Sequence, residues 1–133
     1  MKRTLQLSLC LFLLITALSC KKKSAESNLN GTWELRGLIG SQTVNSEPDL
    51  RPGNGTLLKF NGQTFEKYAT GKLIETGTFT LQPENTTVNN TTANYSILMS
   101  THAKQYLYLS GKTLIVFDGV VAADGTQSTY VKQ

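Results

Sequence analysis

The chain is poor in the side chains that most often carry chemistry. It has two cysteines in 133 residues, Cys10 and Cys20, and Cys10 lies inside an N-terminal apolar run. A chain that loses that run keeps a single cysteine and has no partner for an internal disulfide. Histidine is scarcer still, with His102 alone. A metal site would therefore rest on carboxylates, and Asp118, Asp124 and Glu84 fall at turns, where such residues usually cap backbone amides. His102, between two strands, reads as a solvated loop residue. Serine and threonine are plentiful, yet no Gly-x-Ser-x-Gly elbow occurs, and one histidine offers no triad pattern. These absences argue against an enzyme, and no pattern calls for a cofactor. The domain also lacks any stretch with a sustained helical period.

An excess of charge is lacking too. The formal net charge of +4 comes from 13 basic and 9 acidic residues. Lys2 and Arg3 belong to the N-terminal leader, and Lys21, Lys22, Lys23 and Glu26 to a tether. Without them eight basic and eight acidic residues remain. The domain is neutral, and no basic stripe is left to meet nucleic acid.

What the N-terminus does have is a secretory layout. Lys2 and Arg3 precede the apolar run Leu5 to Leu18, and small Ser19 and then Cys20 follow. A membrane-spanning helix needs about 20 apolar residues. This run is shorter and ends in a lysine cluster, so it reads as a cleaved signal over residues 1–19; an uncleaved membrane helix is the alternative. Ala17-Leu18-Ser19-Cys20 resembles a lipobox, the motif cut before an acylated cysteine. Cys20 is then the lipid-attachment residue, and acyl chains together with Lys21 to Lys23 hold the protein at a membrane. The expected location is the cell envelope, at the outer membrane, with its periplasmic or surface face left open. Residues 20–28 form a polar tether, Ser24 to Asn28 having nothing to bury, and 29–133 form one domain.

That domain is a succession of short β-branched and aromatic runs separated by Gly, Asn, Asp and Pro. Thr32 to Ile39 alternates, with Trp33, Leu35 and Ile39 on one face and Glu34 and Arg36 on the other. Ser41 to Gly55, with Pro48 and Pro52, reads as a long loop and a candidate lid. Thr56 to Phe60 and Gln63 to Thr70 form a hairpin turning at Asn61-Gly62. Lys72 to Leu81 follows and ends at Pro83-Glu84-Asn85. Thr86 to Ser100, Lys104 to Ser110, Lys112 to Asp118 and Ser128 to Lys132 complete a count of eight strands. The matches to the N-glycosylation pattern, such as Asn54-Gly55-Thr56 and Asn90-Thr91-Thr92, are read as polar turn composition. The fold class expected is all-β, a small eight-stranded antiparallel up-and-down barrel; an open sandwich is the alternative.

Leu29-Asn30-Gly31-Thr32-Trp33-Glu34-Leu35 at the start of such a chain resembles the Gly-x-Trp signature of lipocalins. With Gly77-Thr78-Phe79 in mid-chain, it is most similar to the compact lipocalin-like domains of Bacteroidota lipoproteins. The resemblance implies that Trp33 packs across the closed base of the barrel under a basic residue of the last strand. No arginine lies near the C-terminus, so Lys132 takes that position. The family's Thr-Asp-Tyr motif and C-terminal helix are absent here.

A barrel of this size holds either its own side chains or one small ligand. The first expectation is a small apolar or amphipathic molecule bound among Trp33, Phe60, Phe65, Phe79, Ile97, Leu109, Phe117 and Tyr130, under the loop Ser41 to Gly55. Strict alternation adds Glu75 to that lining, in phase with Leu73 and Phe79. A bulge at Gly77 would turn Glu75 outward instead, and this is the reading favoured. The second expectation is a filled barrel that contacts an envelope protein through its outer surface, as an accessory or inhibitor. Tyr106 and Tyr108 share one face with Leu107 and Leu109 on the other, and Leu114 and Val116 stand opposite Ile115 and Phe117; whichever of these faces meets water leaves an apolar strip on that surface unless the loop Ser41 to Gly55 covers it.

Overall fold

The computed structural model describes residues 25–40 and 48–133. The signal, Cys20 and its lysine cluster, and the first half of the Ser41 to Gly55 loop lie outside the described residues. Among the described residues, eight strands follow one short helix. Helix α1 is Ala25–Leu29, and the strands are β1 Gly31–Ile39, β2 Leu57–Asn61, β3 Thr64–Ala69 and β4 Lys72–Val88. They continue with β5 Thr91–Met99, β6 Gln105–Ser110, β7 Thr113–Asp118 and β8 Thr126–Lys132. Each pairs antiparallel with the next, and β8 returns to β1, so the sheet closes in the order β1 to β8. The up-and-down barrel expected from the sequence is present.

Closure follows from the turns. Thr70-Gly71 and Asn89-Asn90 are two-residue loops with both residues at positive φ, the geometry that matches the twist of antiparallel strands. Gly62 and Gly111 each lead a two-residue loop at positive φ, 59° and 56°. The first hairpin therefore turns at Gly62-Gln63, one residue later than expected, and Asn61 pairs with Thr64.

Four further departures have identifiable causes. Register shifts between Leu35 and Gly37, so Arg36 is bulged and Ile39 leaves the inward face of Trp33 and Leu35; it is 56% exposed. Pro83 does not end its strand. Beyond Thr78 β4 has outrun β3 and pairs with β5 alone, and odd-numbered residues direct their backbone groups to the vacant side, as Phe79 does toward Gln63. The missing N–H of Pro83 costs nothing there. Glu84 and Asn85 then stand opposite Asn94 in a wide bulge, and Thr86 to Val88 belong to β4, with the reversal at Asn89-Asn90. Finally, the tether is partly helical: α1 buries Leu29 completely, and Asn30 N–H reaches Glu26 C=O at 3.0 Å.

Inward residues of all eight strands, with Leu29, form one core cluster. Trp33, Phe65, Ile97, Leu107 and Leu114 are at most 1% exposed, and the Phe60 and Phe79 rings meet edge to face with centroids 5.2 Å apart. The chain termini of the barrel meet at its base. There Trp33 Nε1 donates to Leu29 C=O at 2.7 Å, and Lys132 Nζ donates to Asn28 C=O at 3.0 Å. Among the described residues no helix is long and apolar enough to cross a membrane.

Candidate functional site

The mouth lies at the other end, where β1, β3, β5 and β7 finish. β3 and β7 are four strands apart in a closed ring of eight, hence on opposite walls. Leu58, Met99 and Val116 form an apolar floor. Above it Lys67, His102, Gln105, Asp118, Thr126, Ser128 and Tyr130 line a cavity of about 120 Å³.

One rim of this cavity is clasped. Glu75 on β4 accepts a hydrogen bond from Thr101 Oγ1, and its carboxylate lies 2.9 and 3.1 Å from His102 Nε2. Partial burial pushes the Glu75 carboxyl up, but Thr101, His102 and the Lys67 charge outweigh it, and the group sits below the usual carboxylate range. These contacts correct the favoured reading of Glu75. No bulge occurs at Gly77, which pairs with Phe65; the extra residue is Ile74. Glu75 therefore stays in phase with Gly77 and Phe79, facing the mouth, whereas Leu73 and Ile74 turn out to solvent, 53% and 56% exposed.

Tyr130 stands on the wall of the same cavity. Burial pushes its phenol up to about 12, despite a hydrogen bond with Ser128 that works the other way.

The remaining sequence candidates fall in two places. Trp33, Phe60, Phe65, Phe79, Ile97 and Leu109 all belong to the core cluster. Phe117 does not. It pairs with Tyr106 on the outward face, opposite in phase to Val116, yet is only 1% exposed. On the same side of the barrel lies the β4–β5 hairpin. Glu84 in the wide bulge reaches Lys104 at 2.7 Å, and Asn89 Oδ1 accepts the Val121 N–H at 3.0 Å. The hairpin tip, Thr86 to Asn90, thus lies across the outer face of β6 and β7. Between them runs a groove of about 860 Å³ lined by Tyr106, Phe117 and Gly119 to Ala122. Among the described residues it is this hairpin that faces the strip; residues 41–47 of the loop after β1 lie outside them. Residues 48–55 sit on β1 instead. There Asn54 donates to Leu35 C=O, and the buried Glu34 carboxylate holds Arg36 and the N–H groups of Gly53 and Asn54.

Comparison with protein-family models, with curated proteins and with solved structures gave no match.

Sequence reasoning passed over Lys67 and Asp118. Lys67 could have been found, because it is two residues from Phe65 on one strand and so shares its inward face. Asp118 was assigned to a turn, and its place opposite Lys67 emerges only on closure. Among the described residues no three His, Cys, Asp or Glu side chains gather as a metal site would require.

Proposed function

We propose that this protein is a non-enzymatic, lipid-anchored envelope lipoprotein with a lipocalin-like barrel that works through its outer surface, as an accessory to a partner protein. The observation that carries this reading is the packed interior. Cavities that bury a small organic ligand run to about 300–1,000 Å³, and the space at this mouth is about 120 Å³. The larger concavity, about 860 Å³, is on the outside wall.

Two further observations support it. Trp33 under Lys132 at the base is the arrangement that the lipocalin resemblance implies. In addition, α1 joins the barrel at its base, so a lipid on Cys20 puts the base toward the membrane and the mouth away from it. Ile39, Leu73, Ile74 and Val120, each more than half exposed, lie at the mouth end, where an apolar surface meets a partner sooner than lipid.

Photo-crosslinking in the intact envelope tests the reading. A photoreactive residue at Val120 or Leu73 should give a discrete protein adduct that the same residue at Lys112, on the base side, does not. Equal labelling at all three positions, or none, counts against it.

A further inference from the structure

We propose that the barrel mouth is a binding site for a small zwitterion, a molecule of α-amino-acid size carrying one ammonium and one carboxylate. This goes beyond the surface role and rests on other residues.

The cavity is polar where it should be apolar if it served as the entrance for a greasy ligand. Lys67 stands on β3 and Asp118 at the end of β7, on opposite walls of the closed ring, and both line the same space of about 120 Å³. Among the described residues neither side chain makes a direct ion pair or hydrogen bond, although Lys67 stands opposite Glu75 on the neighbouring strand and its charge acts on that carboxylate. Glu75, the other acid of the mouth, is held by Thr101 and His102 as well as by the Lys67 charge. Lys67 and Asp118 thus line one space from opposite walls without closing on one another.

The gap also has the right size and company. It takes the place of about four waters, which matches the smallest α-amino acids and excludes an acyl chain or a ring system. A carboxylate at Lys67 and an ammonium at Asp118 would satisfy both charges. Gln105 and Ser128 offer neutral donors and acceptors between them, and Leu58, Met99 and Val116 give a floor for a short aliphatic side chain. Lys67 is half-buried and Asp118 exposed, so the gain in attraction that a partly enclosed site gives over water falls on the Lys67 side.

The test uses the mature protein in titrations followed by amide chemical shifts, with alanine, propionate and ethylamine as probes. Alanine should bind saturably, with the largest shifts at Lys67, Gln105, Asp118 and Ser128. Propionate and ethylamine should each bind at least tenfold more weakly. Lys67→Met and Asp118→Asn should each weaken alanine binding tenfold or more, while both variants keep the wild-type unfolding midpoint to within a few degrees. Four outcomes overturn the proposal: no saturable shift with alanine, propionate binding as well as alanine, alanine binding untouched by the two substitutions, or loss of binding only together with loss of the fold.

Discussion

The Lys132 ammonium lies 5.1 Å from the centre of the Trp33 ring, and the same ammonium donates to Asn28 C=O. The last strand thereby clamps the first strand and the end of α1 at the base. Trp33 carries most of that arrangement, since it is fully buried and its indole N–H is satisfied by Leu29 C=O. Trp33→Ala should lower stability by about 3–5 kcal/mol in denaturant unfolding. Lys132→Met, which keeps the aliphatic stem, should cost about 1 kcal/mol. A smaller loss for the tryptophan than for the lysine would contradict the assignment.

Gly77 is where the barrel has no room for a side chain. A Cβ there would stand 2.4 Å from Ser100 Oγ and 2.9 Å from Phe65 Cε1. Gly77→Ala should therefore destabilise by about 1–3 kcal/mol through overpacking. Phe65→Leu should recover part of that cost, which a double-mutant cycle would show as coupling between the two positions. Additive effects would mean that the ring does not occupy this site.

Much of the barrel was legible in the chain because its strands are joined by turn dipeptides with strong backbone preferences, as at Thr70-Gly71 and Gly111-Lys112. The errors share one cause. Bulges at Arg36, Ile74 and Glu84-Asn85 change the phase of a strand or prolong it, and nothing local to those residues distinguishes a bulge from continued alternation. Thus plain alternation puts Ile39 inward, a bulge set at Gly77 instead of Ile74 turns Glu75 outward, and Pro83 ends β4, where the structure does none of these. The outer groove was out of reach for a related reason: it depends on the β4–β5 ribbon folding across β6 and β7, a long-range event. The mouth was half legible, since the phase of Phe65 reaches Lys67, but the opposition of Lys67 and Asp118 exists only once β8 closes on β1.

Tyr130 should ionise late. With its folded pKa raised to about 12, against about 10 for an exposed phenol, its contribution to stability is complete below pH 10 or so and is lost as pH rises toward 12. An ultraviolet titration of the folded protein should show one late phenol, missing in Tyr130→Phe. Its persistence in that variant would place the late group elsewhere.

Glu75 acts at the opposite limb. Its carboxyl is held below the ordinary value of 4.5, so its stabilising effect is present above that pH and declines as the pH falls below it. Glu75→Gln should lower the denaturation midpoint at neutral pH, and the gap to wild type should narrow through the acid range. A gap that stays constant down to about pH 3 would show that the ionised form is not favoured in the fold.

On the function proposed above, the barrel interior is filled by its own side chains and the protein acts from its outside. Native mass spectrometry of mature protein from its own host, paired with a panel of apolar probes read by Trp33 fluorescence, tests it most directly. A filled interior should give a mass with no apolar passenger and no saturable response to any probe. A stoichiometric apolar species, or saturable binding that Ser128→Trp abolishes by blocking the mouth, would contradict it.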